Sequence, residues 1–191
     1  MTATLFKLDW SSTMKNIRGP TGPVVEYTDH PTNPLSDGYY TPMAYAGFLF
    51  TSLCQGYVFL KAYHHKDAVL MTQIYNTNDP TILWSLVRHM PTDDLWCNNH
   101  TKIVKNLSWV KFLSCKEYSK VLDESTNCPF HGNSDQYKFE GDLTVLDEAH
   151  LHISQQIEVM KDKAIFGPPI IEANGSVPHI DLQQIPFIND N

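Results

Sequence analysis

TSLCQGYVFLKAYHHKD (51–67), NDPTILWSLVRHMPTDDLW (78–96) and HTKIVKNLSWVKF (100–112) belong to one segment, Thr51–Phe112, that makes this chain helical. Ser52 followed three residues later by Gln55 has the form of a capping box, in which each side chain satisfies an orphan backbone N–H. Leu53, Tyr57, Leu60 and His64 then recur at helical spacing, with Lys61 on the same broad face. Asp67 caps a second short helix reaching Tyr75. Asp79-Pro80 starts a third: an N-cap carboxylate, then proline at N1, where its missing N–H is no loss. That helix carries Leu83, Trp84, Val87 and Arg88. Pro91-Thr92 breaks the chain and restarts it. Thr92 is the expected cap, and Asp93 and Asp94 put negative charge at the positive end of the next helix. Trp96, Ile103, Leu107 and Val110 line that helix, with a break expected near Asn106.

Outward from this segment the pattern changes. Residues 1–43 read as extended chain and turns, with a short strand at Leu5, Phe6, Leu8 and Trp10 and turn-formers at GPTGP (19–23) and HPTNPLSDG (30–38). A short helix is expected over Glu117–Leu122, then a loop over 123–142. Thr144 with Asp147 opens a last helix bearing Leu146, Ile153, Ile157 and Met160. Gly167-Pro168-Pro169 ends it, and a proline-bearing extended tail runs to Asn191. The reading is a mostly α, single compact domain over 1–166 (core 40–160), followed by a tail over 167–191.

Composition narrows the function. One core suits 191 residues, and a net charge of -7 excludes a dominant nucleic-acid surface, which needs a basic stripe. Residues 41–60 carry no charge, but Gly47, Thr51, Ser52, Gln55 and Gly56 interrupt them, so no membrane span is expected. Cys54, Cys97, Cys115 and Cys128 form no C-x-x-C pair, and no secretory leader pattern opens the sequence. Reduced thiols in a cytoplasmic, intracellular protein follow.

TSLCQGYVFLKA, DPTILWSLVRHMPTDDLW, HTKIVKNLSWVKF and SKVLDEST, in this order across Tyr40–Asn127, resemble the motif series of the NADAR (YbiA-like) family. The resemblance implies a compact, mostly helical domain. It also implies N-glycosidase chemistry on phosphorylated ribosyl-amines, or a relation to ADP-ribose. Matched residue by residue, it makes Lys61, Arg88, Asp93 or Asp94, Trp96 and Lys111 site candidates, with Tyr57 beside them as a ligand-contacting aromatic. Two departures stand out. Cys54 replaces the family's carboxylate, and the closing Asp-x-x-Trp-Gly segment has no counterpart after Asn127. Breaking an N-glycosidic bond builds positive charge on the ribose, which a carboxylate stabilises and a thiol does not. Three readings stay open: a glycosidase with an altered catalytic group, a degenerate pocket serving as a binding or interaction module, and a divergent enzyme with Cys54 as nucleophile.

Each candidate also has a plain structural reading. Cys54 at N2 is either a thiolate favoured by the helix terminus or a small buried hydrophobe. Lys61 either faces a ligand or snorkels to water. Arg88 either clamps a phosphate or complements a helix dipole. Trp96 either stacks on a base or packs in the core. Asp93 and Asp94 are either catalytic or helix-starting. Glu148, with His150 or His152, could instead supply the missing acid. Two rival motifs are present: His152-Ile-Ser154 as a phosphoesterase His-x-Ser, and Cys128-x-x-His131 with His64, His65 or His100 as a zinc set. Neither has a regularly spaced second copy or pair. The expected partner is a phosphorylated ribosyl or nucleotide-like small molecule, with no metal and no cofactor.

Overall fold

A computed structural model describes residues 23–133, Phe139 and residues 144–162. The expected strand at residues 5–10, most of the 134–143 loop and the tail over 167–191 lie outside the described residues. The described part is mostly helical. In order it holds β1 (Val25–Thr28), β2 (Met43–Tyr45), β3 (Phe48–Phe50), α1 (Leu53–His64), α2 (Ala68–Tyr75), α3 (Pro80–Val87), α4 (Asp94–Ser114), α5 (Lys116–Glu124), β4 (Phe130–Asn133) and α6 (Val145–Asp162).

The helix starts follow from the caps. Ser52 Oγ accepts the Gln55 N–H at 3.1 Å. Asp67 accepts from Leu70 N at 2.9 Å and Asp79 from Thr81 N at 2.8 Å. Each such cap is worth about 1 kcal/mol. The Gln55 side chain does more than close a capping box. Its Oε1 accepts the Thr51 N–H at 2.8 Å, while Nε2 donates to the carbonyls of Ile74, Tyr75 and Thr77. One buried amide thus ties the start of α1 to the C-terminal end of α2.

Three expectations are corrected. The cap of α4 is Asp93, whose Oδ1 accepts the Trp96 N–H at 2.7 Å, while the Thr92 hydroxyl accepts from the Lys61 ammonium. Asn106 does not break α4, which runs unbroken from Asp94 to Ser114. Asn106 instead donates sideways to the Tyr45 hydroxyl at 3.2 Å, so its polar group competes with no helical carbonyl. Finally, the stretch read as loop over 123–142 contains β4, which pairs in parallel with β1, Val25 opposite Phe130. Gly132 permits this: a Cβ there would lie 2.7 Å from the Tyr27 hydroxyl.

α1 is the central helix. It packs against α2, α3, α4 and β3, while α4 packs on α5, α6 and β2. Nearly all of its first two turns are buried, from Leu53 to Phe59. This is what a core helix shows, in place of a single apolar stripe. Gly56 allows the close approach to α4: a Cβ would sit 3.0 Å from Leu107 and 3.1 Å from Phe50. The β2–β3 hairpin caps this end through a two-residue turn, Ala46-Gly47, with both φ positive at 55° and 81°. No described helix is long and apolar enough to cross a membrane.

Candidate ligand-binding site

Steps of three and four along α1 place Cys54, Tyr57, Lys61 and His64 on one stripe. The middle of the stripe is aromatic. The buried Tyr57 ring lies 5.4 Å from Trp96, 5.8 Å from Trp84 and 4.9 Å from Phe139. Phe139 meets Trp84 edge-on at 5.1 Å. Its ring therefore fills the slot between Tyr57 and Trp84. Its backbone is left-handed, at φ 47°, which a bulky side chain rarely adopts.

Lys61 lies at the outer end of the stripe and is only 1% exposed. Its ammonium donates to the Thr92 hydroxyl at 2.8 Å and stands 6.0 Å from the Trp96 ring. Thr92 is itself exposed, so this ammonium lies one hydroxyl below the surface. Next to it, His64 Nε2 reaches both oxygens of Asp93, at 2.8 and 3.0 Å. The Trp96 N–H, and then His64, hold the Asp93 carboxyl below its usual range. Asp94 is exposed in the first turn of α4, where its charge offsets the helix dipole.

Lys111 lies deeper and is fully buried. Its ammonium donates to the Ser36 carbonyl at 2.6 Å and faces the Tyr118 ring at 4.7 Å and the Tyr39 ring at 5.6 Å. Burial lowers it to about 7, opposed by the charge of Asp37. Asp37 is the residue that sequence reasoning missed. It is fully buried in the loop before β2 and accepts the Trp84 indole N–H at 2.9 Å. Burial raises its carboxyl to about 6, with Lys111 and Trp84 pulling the other way. The only sequence signal was an Asp-Gly pair within a run of turn-formers, which reads as a turn.

Cys54 is corrected on one point. It occupies N2 of α1 as expected, but it is completely buried, and its backbone N–H donates to the Asp37 carbonyl at 2.9 Å. Burial pushes the thiol well up, and the nearby carboxylates of Asp37 and Asp79 push it further. The helix terminus does not outweigh these terms, so Cys54 sits here as a thiol.

The structure thus gathers Tyr57, Lys61, Trp96 and Asp93 where α1 meets the start of α4, and Cys54 and Lys111 around Asp37. Arg88 does not join them. It is an exposed C-cap of α3, and among the described residues it has no hydrogen bond or ion pair to any other candidate. Glu148 is exposed and pairs with Lys105 at 3.4 Å, while buried His150 bonds the Tyr118 hydroxyl at 2.7 Å and the Leu35 carbonyl at 3.1 Å. His152 and Ser154 lie within α6, not on a strand. The set of Cys128 and His131 with His64, His65 or His100 is not assembled among the described residues. Two hollows lie elsewhere: an apolar one of about 360 Å³ beside α2, lined by Phe48, Phe59 and Met71, and one of about 140 Å³ bordered by His65, His89 and Met90. Neither is lined by Lys61, Lys111 or Asp37.

Compared with solved structures, the chain is similar to the NMR structure of the E. coli protein YbiA. The TM-score is 0.61 at 11% sequence identity, covering 83% of this chain and 96% of that one. At that identity the likeness is one of fold. No family model and no curated protein matches the chain.

Proposed function

We propose that this is a NADAR-like domain that binds a phosphorylated ribosyl or nucleotide-like small molecule, ADP-ribose among the candidates, along the α1 stripe. The observation that carries this reading is the burial of two lysines in a domain of net charge -7. Lysine is almost never fully buried without compensation. Here each ammonium lies beside an aromatic ring, Trp96 for Lys61 and Tyr118 for Lys111. A phosphate that displaces the Thr92 hydroxyl meets Lys61 at the N-terminal end of α4, a position suited to anions. A base or sugar face then lies against Trp96 and Tyr57, where Phe139 now sits.

As an enzyme the domain would cleave an N-glycosidic bond, and the carboxylate near Cys54 is Asp37. A group poised near 6 suits developing positive charge on the ribose and activation of water. A second reading has its own support. Asp37 is fully buried and engaged by Trp84, and Phe139 fills the aromatic slot. These favour a binding or interaction module without turnover. The buried Cys54 thiol supports neither reading as a nucleophile.

The test is a titration of ribose 5-phosphate and ADP-ribose followed by amide NMR shifts, with chromatographic detection of released base in a parallel incubation. Shifts at Lys61, Thr92 and Trp96, weakened about tenfold or more in Lys61→Met, are expected. Base release that is lost in Asp37→Asn selects the enzyme; binding without release selects the module. Unperturbed shifts, or equal binding by Lys61→Met, would remove this ligand class.

A further inference from the structure

At the C-terminal end of α1, His64 and His65 meet Asp93 from the start of α4, 28 residues further on. One donor atom from each of the three lies within 4.8 Å of the other two. We infer that this cluster is a binding site for a divalent transition-metal cation of the zinc type, with His64, His65 and Asp93 as its protein ligands.

Two adjacent helical residues normally diverge by about 100° around the axis and cannot share a ligand. Here the helix ends between them. His65 is the C-cap, at φ -83° and ψ 2°, and Lys66 turns back with φ 58°. The two imidazole rings therefore approach to 4.8 Å, nearly perpendicular at 79°. Asp93 reaches them because it caps α4 and its second oxygen remains available to His64.

An ion pair between His64 and Asp93 explains only two of the three groups. The Nε2 of His65 is enclosed and has no hydrogen-bond partner among the described residues. A cation gives all three groups a role. Tetrahedral zinc with nitrogen and oxygen ligands places donors about 3.4 Å apart. The His64–Asp93 pair is already at 2.8 Å, and the 4.8 Å limit leaves only a small side-chain rotation to close the set. Asp93 is exposed, so an ion enters from solvent and a fourth position stays open to water or another ligand. Imidazoles with one carboxylate suit zinc, copper, nickel or cobalt better than magnesium or calcium.

The surroundings set the affinity. The positive end of α4 disfavours a cation, and so does the Lys61 ammonium held under Thr92. Only one ligand is anionic. Binding should therefore be micromolar, weaker than that of a closed cysteine-rich site. The sequence hides the set because an adjacent His-His pair and a distant Asp match no regular ligand spacing.

The experiment is isothermal titration of zinc chloride into the full chain. One ion per chain is expected, with Kd about 10 µM or tighter, and a raised melting temperature that a chelator reverses. Asp93→Asn removes the anionic ligand but keeps the cap, since asparagine caps as well as aspartate, so the apo protein should still fold and melt cooperatively, a little lower for the lost ion pair to His64. It and His65→Gln should each weaken binding about tenfold or more. If His65→Gln does not fold, Asp93→Asn alone decides. A Cys97→Ser/Cys128→Ser variant controls for thiol binding and should bind zinc as the parent does. Absence of binding, binding unchanged in Asp93→Asn, or binding lost with the two thiols would overturn the site.

Discussion

Breaking the Asp37–Lys111 pair should give two variants whose defects run in opposite directions with pH. Asp37 has a folded value of about 6 against 3.8 in its ordinary state. Between those values the native state holds a proton that the unfolded chain has lost. This group's contribution is therefore complete below 3.8 and declines as pH rises to 6. Lys111 has a folded value of about 7 against 10.5. There the unfolded chain holds the extra proton, so stability rises as pH climbs through that window. Near neutrality Asp37 is mostly ionised and Lys111 about half protonated, and each supports the other's charge. Removing one partner from a buried pair typically costs ~3–5 kcal/mol, because the survivor is left charged and uncompensated.

The survivor can escape by changing its protonation. In Asp37→Asn, Lys111 can lose its proton, which becomes easier as pH rises. The deficit relative to the parent should be largest at about pH 5 to 7, where Lys111 is protonated, and should shrink toward about pH 10. In Lys111→Met, Asp37 can take a proton, and the deficit should shrink toward about pH 5. It should not vanish, because the Ser36 carbonyl also loses its donor, at a cost of ~1–3 kcal/mol. The double variant should be less destabilised than the sum of the singles. The assay is urea unfolding followed by tryptophan fluorescence at the three pH values, for the parent, both singles and the double. Parallel pH profiles for the two single variants, or an additive double, would refute the coupling.

Phe139→Ala should lower stability by ~3–5 kcal/mol through the cavity left between Tyr57 and Trp84, and should tighten binding of an aromatic base there; melting with and without ADP-ribose measures both. Native protein treated with iodoacetamide should label the exposed Cys97 quickly and leave buried Cys54 untouched until it unfolds, as peptide mass mapping can check; rapid labelling of Cys54 would restore the thiolate reading. Gln55→Ala should cost ~2–3 kcal/mol, more than a lost cap, because the Ile74, Tyr75 and Thr77 carbonyls at the end of α2 lose the amide group whose two protons they share, and hydrogen exchange should rise first at the Ile74–Asn78 amides.

What could be read from the sequence was local. Ser52, Asp67 and Asp79 each announce a helix by a side chain that bonds within three residues, and such chemistry does not depend on the rest of the fold. Asp93 and Thr92 mark the limit of that reasoning. Both residue types cap helices, and the choice between them was made by Lys61, thirty-one residues earlier, which takes the Thr92 hydroxyl. Lys61, Trp96 and Lys111 could be named as candidates because a motif series held them in order. Asp37 and Phe139 were not, because each acts only through partners far away in sequence: Trp84 and Lys111 for one, Tyr57 and Trp84 for the other. Arg88, the exposed C-cap of α3, stays apart from this group, and the sequence could not show that, because an arginine at a helix end suits the helix dipole whether or not it meets a ligand.

Cys54 and Asp37 belong to one argument. A carboxylate at position 54 would have been buried beside Asp37, with a second carboxylate, Asp79, adding to the repulsion. Two acids so placed could not both ionise, and one would hold its proton. With a neutral thiol at 54, the buried acid beside it is Asp37, bonded by Trp84 and opposed by Lys111, and it lies near 6. The interior negative charge therefore lies in the loop before β2 and not on α1, and a carboxylate at position 54 would add a second. Cys54→Glu should destabilise the fold by ~3 kcal/mol or more, and most strongly above about pH 7, where both acids must be charged. Cys54→Ser should be far milder at every pH. Urea unfolding of the two variants across that range tests the point. A Cys54→Glu protein as stable as Cys54→Ser at high pH would mean that Asp37 does not hold the charge in this site.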